Sequence, residues 1–156
     1  MSACGCVAQV VEADTKTKVM LGEITLKNLD NCDAALIEAA RNIITKNFDN
    51  VRNNHTVGAA VRCKNGKIYL GVNVYLNHGT CAEIFAIGAA ITAGEREFDC
   101  IVSVRGEGEI LPPCGNCRQM LSDYAPLCDV IIVTENGEKK IQAKELIPYS
   151  YARKIF

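Results

Sequence analysis

An α/β fold, with a mixed sheet and helices on both of its faces, is what this chain of 156 residues predicts. Three observations lead there. Short β-branched runs alternate with stretches whose apolar residues recur every three or four positions. The pair Asn65-Gly66 lies between two strand-like runs and marks a tight hairpin. Late in the chain, strands separated by helical stretches require parallel crossovers, which are right-handed. The length suits one domain with its own core.

Residues 1–30 read as a lead-in, and 31–156 as the domain proper. Val7 to Val11 and Val19 to Leu21 are strands, an arm packed on a neighbour, or an unstructured tail. Asp30-Asn31 offers a helix cap, and Leu36, Ala40, Ile43 and Ile44 keep helical spacing up to about Phe48. A polar loop over 49–54 ends that helix. The hairpin follows, with strands over 56–63 and 67–74. After the loop 76–79, Thr80 precedes a helix whose face is Ile84, Ile87, Gly88 and Ile91, with Gly94 as its stop. Cys100 to Val104 reads as a buried strand. Cys117, Met120, Leu121 and Tyr124 trace the inner face of the next helix, which Pro126 closes. Val130 to Thr134 is another buried strand, 135–137 a turn, 139–143 an edge strand, and 144–146 a last short helix. The order is α-β-β-α-β-α-β-β-α, with five strands.

Composition narrows the function. A net charge of −1 and a pI near 6.1 give no electrostatic case for nucleic acid or an anionic membrane. No apolar stretch is long enough to span a bilayer. The first residues lack the basic and apolar regions of a secretory signal, so the nine cysteines are expected as reduced thiols in a cytoplasmic protein. Cys63 and Cys100 sit in apolar runs and read as packed thiols. Cys32 and Cys128 fall near element ends, and Cys4-Gly-Cys6 is an isolated pair in the lead-in.

Three other thiols carry chemistry. Cys81-Ala82-Glu83 opens one helix, and Pro113-Cys114-Gly115-Asn116-Cys117 opens another. Three protein ligands on one metal leave a position for water, as catalytic zinc does and closed structural zinc does not. A carboxylate beside that water takes and delivers its proton, which makes the spacing one of metal-assisted hydrolysis. Helix N-termini favour thiolates, but three thiolates on Zn²⁺ leave net negative charge. A nearby cation such as Arg118 is then needed. Each piece has a plainer reading. The C-x-x-C pair also suits a redox pair or half a structural zinc site. Thr80-x-x-Glu83 also fits a capping box. A closed site would draw its fourth ligand from Cys100 or His78. Cys-x-Glu at one helix start, with Pro-Cys-x-x-Cys at the next, is the pattern of zinc deaminases, with Cys in place of the first His.

From about Asp33 to Tyr151 the chain resembles the cytidine deaminase family. The resemblance rests on Thr56-Val57-Gly58-Ala59-Ala60, Gly71-Val72-Asn73-Val74, Cys81-Ala82-Glu83, Pro113 to Gln119 and Glu145-Leu146-Ile147-Pro148. It implies a three-layer α/β/α sandwich with a mixed five-stranded sheet, and zinc on Cys81, Cys114 and Cys117. It also implies Glu83 as proton shuttle, and the Ala82 N–H facing the 2-oxo group of cytosine. Cys as first ligand is similar to the enzymes of free nucleosides. Asn73 stands where the family reads ribose, but Tyr75 replaces the usual Glu, and Ile84 replaces the Arg that commonly follows the catalytic Glu. These departures resemble the blasticidin-S deaminase branch, as does Ile110 to Cys114. The expected reaction is removal of the 4-amino group from a cytosine nucleoside, of the blasticidin S type or the cytidine or deoxycytidine type. The alternatives are a non-enzymatic zinc or thiol module and a deaminase of nucleic acid. His55 is a sugar-side residue or a solvated loop histidine. Tyr149 or Tyr151 resembles the aromatic that enters a neighbouring subunit's pocket in tetrameric members, or closes the chain's own core. A homotetramer is implied on the same ground.

Overall fold

Asp30 starts the first helix by a reciprocal cap. Its side chain accepts the Cys32 N–H at 2.9 Å, and the Asp33 carboxylate accepts the Asp30 N–H at 2.9 Å. The helix, α1, runs Asn31–Asn47 and buries Leu36, Ile37, Ala40 and Ile44 along one face. The computed structural model describes residues 24–75, 77, 79–106 and 108–151. The strand expectations at 7–11 and 19–21, the Cys4 and Cys6 pair, and His78 lie outside these.

The hairpin forms as its turn chemistry requires. β1 (Val57–Cys63) and β2 (Ile68–Val72) are antiparallel, and Gly66 takes φ +85° between them. α2 spans Ala82–Thr92, β3 Phe98–Arg105, β4 Glu109–Leu111, α3 Gly115–Tyr124, β5 Asp129–Thr134 and β6 Gly137–Gln142. A 3-10 turn, Ala143–Leu146, follows. The sheet order is β2-β1-β3-β5-β6, with β4 paired to β3. Among the described residues only β3 and β5 are parallel, joined by the crossover through α3. The expected mixed sheet and α/β class therefore hold, with β4 as an addition. Its three residues are too few for alternation to register.

Two cores make the molecule three-layered. Leu36, Ala40 and Ile44 of α1 pack on Ala60, Val102 and Val104 on one face. Ala82, Ala86 and Ala90 of α2 and Leu121 of α3 pack on Ala59, Val61 and Ile101 on the other. Gly71 explains the small residues of α2. A Cβ there would lie 2.4 Å from the Ala82 carbonyl oxygen and 2.5 Å from the Ala86 nitrogen, so strand and helix backbones touch. The inward face of α2 is accordingly Ala82, Glu83, Ala86, Ile87 and Ala90, and the face expected from Ile84, Ile87, Gly88 and Ile91 is corrected. Gly88 itself is exposed. In α3, Cys117 and Leu121 are buried, whereas Tyr124 is 63% exposed, because Leu121 and Ala125 already fill that end of the core.

The top of the sheet splays. β1 pairs with β3 along its length, while β5 pairs with it only at Cys100 and Ile101. β4 takes over the vacated edge at Ser103, Val104 and Arg105. Ligands of open α/β sheets favour such a crevice, beyond the carboxyl ends of strands where neighbours diverge. Lys27 of the lead-in pairs backbone to backbone with Lys140 of β6 at 2.8 Å in both directions.

Candidate active site

Cys81 and Cys114 are the N-cap residues of α2 and α3, both in extended conformation, and neither side chain caps its helix. Ser, Thr, Asp or Asn normally holds that position, so paired cysteines at two caps indicate a task other than capping. The capping box read from Thr80 and Glu83 does not form. The cap is one residue later, and the Thr80 N–H is donated to the Val74 carbonyl at 3.0 Å.

The three sulfurs meet. The Sγ atoms of Cys81, Cys114 and Cys117 all lie within 4.8 Å of one another, and those of Cys81 and Cys114 are 3.5 Å apart. Thiolates about 2.3 Å from a tetrahedral ion lie roughly 3.8 Å from each other, so this donor set fits zinc. Among the described residues these thiols form the one group so arranged. Cys100 is buried in the α1 core, across the sheet from them, and is not a fourth ligand.

Charge at the cluster is finely set. Burial raises the Cys81 thiol above its ordinary value, and its contact with Cys114 adds to this. Burial acts upward on Cys114 too, but the Cys117 N–H, the thiols of Cys81 and Cys117, and the Asn116 N–H bring it below the usual value. Cys117 is fully buried and pushed far up, by burial first and then by the charges of Glu83, Cys81 and Cys114. Three such thiols repel one another when ionised, and a shared cation reverses that balance. Arg118 reaches elsewhere. Its Nε donates to the Pro113 carbonyl at 2.8 Å and its Nη1 to that of Leu146 at 3.3 Å, tying the Cys114 turn to the end of the fold.

A cavity of about 340 Å³ opens over the thiols. Cys81, Cys114, Ala82, Glu83, Asn73 and Tyr75 line it, with Val57, Thr80, Ser103, Leu111 and Pro112. Glu83 is buried, and its Oε1 lies 3.4 Å from the Ser103 hydroxyl. The Asn73 Oδ1 accepts the Val57 N–H at 2.8 Å. Because that N–H can only donate, the amide orientation is fixed and the NH₂ is left for another partner. Tyr75 places its hydroxyl 2.9 Å from that of Thr56.

Two expected residues stand apart from the cavity wall. His55, at φ +59°, sits behind Asn73, with its Nδ1 2.7 Å from the Asn73 carbonyl. A carbonyl accepts only, so Nδ1 carries a proton. Tyr151 is 78% exposed, and its carbonyl accepts from Gln119 at 2.8 Å. Ser103 is the residue that sequence reasoning passed over. Its signal was a polar side chain inside the apolar run Cys100 to Val104.

A thiol triad at two helix starts, beside a buried carboxylate in the crevice of an α/β/α sandwich, defines the class of zinc-dependent hydrolytic deaminases. The chain matches the family model described as "Cytidine and deoxycytidylate deaminase zinc-binding region" over residues 30–137. It is similar to the blasticidin-S deaminase of Bacillus cereus, 39% identical over 137 residues, covering 81% of this chain and 96% of that one. The cytidine deaminase of Halalkalibacterium halodurans is 33% identical over 101 residues, covering 61% of this chain and 76% of its own length. Among solved structures, the cytidine deaminase from Burkholderia pseudomallei superposes with a TM-score of 0.64 at 32% identity, over 76% of this chain and 98% of that one. This chain belongs to the cytidine and deoxycytidylate deaminase family. It is a hydrolytic deaminase, and its cofactor is zinc.

Proposed function

We propose that the protein removes the 4-amino group from the cytosine ring of a small nucleoside, with blasticidin S favoured over cytidine and deoxycytidine. The triad with Glu83 beside it carries the reaction type. Tyr75 in the cavity wall carries the substrate preference. A phenol there, in place of a carboxylate, changes both charge and shape at the sugar end. It takes away a charge that would repel an anionic sugar and removes a strong acceptor for ribose hydroxyls. The 39% identity to a blasticidin-S deaminase supports the same preference.

Cys81, Cys114 and Cys117 would hold the zinc as thiolates, and the ion would supply a water ionisable near neutral pH. Glu83 takes one proton from the attacking water and gives it to ring N3. It then takes the second from the hydroxyl newly bonded to C4 and delivers it to the amino group, which leaves as ammonia when the C4–N bond breaks. One carboxylate serves as base and acid because each transfer resets it. The Ala82 N–H, at the first turn of α2 where backbone N–H groups have no intrahelical partner, faces the 2-oxo group. The Asn73 NH₂ and Tyr75 take the sugar, with His55 bracing Asn73 from behind.

The remaining assignments go with this reading. Residues 31–156 are the deaminase domain and 1–30 an extension whose end, at Lys27, lies along β6. The chain works in the cytoplasm as a homotetramer, in which Tyr151 reaches a neighbouring subunit's site. No helix among the described residues is long and apolar enough to cross a membrane.

The test is a panel of cytidine, deoxycytidine, adenosine and blasticidin S, followed by the ultraviolet change on deamination. Blasticidin S is expected to give the highest kcat/KM and adenosine none. Cytidine as the best substrate would overturn the preference, and no turnover of any cytosine compound would overturn the function.

A further inference from the structure

Ser103 is a hydroxyl where the strand pattern asks for a hydrocarbon. Its neighbours on β3, Ile101, Val102 and Val104, are at most 1% exposed, and Ser103 itself is 4% exposed. It faces the α2 side of the sheet, and its Oγ lies 3.1 Å from the Leu111 carbonyl and 3.4 Å from Glu83 Oε1. Leu111 is its register partner on β4, three residues before Cys114. One hydroxyl therefore stands where the carboxylate of α2 meets the strand leading to a zinc thiol.

We infer that Ser103 is a positioning residue for Glu83, an inference that rests on the proposed proton-carrying role of that glutamate. The reason lies in what each atom can do. The Leu111 carbonyl only accepts, an ionised carboxylate only accepts, and a hydroxyl both donates one proton and accepts. With Glu83 ionised, Ser103 turns its proton to Oε1. With Glu83 protonated, the acid donates to Ser103 Oγ, and Ser103 donates to Leu111. The buried carboxylate oxygen keeps a partner in both states without movement of any heavy atom. The second oxygen stays free to work in the cavity. A buried acid that changes protonation twice in each turnover would otherwise lose a partner in one state, at a cost typical of unsatisfied buried groups.

The experiment compares wild type, Ser103→Ala, Ser103→Thr and Glu83→Gln, measuring kcat, KM, zinc per chain and thermal midpoint on the best cytosine substrate. Ser103→Ala is expected to lower kcat about tenfold, the loss of one hydrogen bond of ordinary strength, with KM within about twofold. Zinc content stays at the wild-type value, the thermal midpoint falls by no more than about 4 °C for the lost bond, and Ser103→Thr, which keeps the hydroxyl, recovers most of the rate. Wild-type kcat in Ser103→Ala overturns the inference. So does a loss that appears together with loss of zinc or with a larger fall in thermal midpoint, or one that Ser103→Thr does not repair, since each marks a packing role. Glu83→Gln at wild-type rate would overturn the proton-carrying reading, and the role of Ser103 with it.

Discussion

Glu83 occupies the second position of α2, buried, with its charge felt by the Cys117 thiol and its oxygen beside Ser103. A carboxylate in the first turn of a helix has an ordinary electrostatic use, since it complements the positive end of the dipole. The two uses separate on substitution. Glu83→Gln preserves shape and hydrogen bonding but cannot carry a proton. It should keep one zinc per chain while turnover falls by at least the roughly 10²- to 10⁴-fold range of general acid–base catalysis. Near wild-type turnover would leave it a helix-end charge only. The thiols and Glu83 were legible in the sequence because each sits at a fixed spacing beside a helix start. Ser103 was not, because its partners are 8 and 20 residues away and meet it only through strand pairing.

At the level of elements, the distance between α2 and β2 sets the site. Gly71 lets the helix backbone lie against the strand, bringing Cys81 and Glu83 to the edge of the sheet. Gly71→Ala puts a methyl group into the Ala82 carbonyl and the Ala86 N–H. Overpacking of this kind costs about 1–3 kcal/mol. The variant should unfold at lower urea, and its zinc should be extracted faster by a chelator than that of wild type. An unchanged urea midpoint would mean that α2 shifts freely and that its height does not fix the site. The hairpin and α1 were readable from Asn65-Gly66, Asp30 and the apolar spacing of Leu36, Ala40 and Ile44. The face of α2 was misread because hydrophobic size points to isoleucines, whereas close backbone approach selects alanines. β4 was missed because it exists only by pairing where β5 diverges.

Across the whole molecule, the end of the sheet remote from the cavity is held by charge. Asp33, fully buried, accepts from Lys140 at 2.7 Å and Arg62 at 2.9 Å. Arg62 also binds Asp99 at 2.8 Å, and Lys140 binds Asp30 at 2.8 Å. The bond from Lys140 holds the Asp30 carboxyl below its ordinary value. Burial would raise Asp99, but Lys64 and Arg62 outweigh it and hold that carboxyl low as well. Depressed folded-state values stabilise the fold above the unfolded aspartate value of about 3.9, and this is lost as pH falls through the folded values. The urea midpoint should therefore be flat from pH 7 to about 5 and fall below about 4. Asp99→Asn should flatten part of that fall, and an equal fall in the variant would remove Asp99 from the explanation. At the opposite end, the same architecture brings residues 81, 114 and 117 to one point from two separate helix starts. X-ray absorption at the zinc edge of the purified protein tests this convergence most directly. The expected first shell is three sulfurs at about 2.3 Å and one oxygen, without the outer-shell scattering of a histidine ring. Four sulfurs, or a protein that retains no zinc, would contradict it.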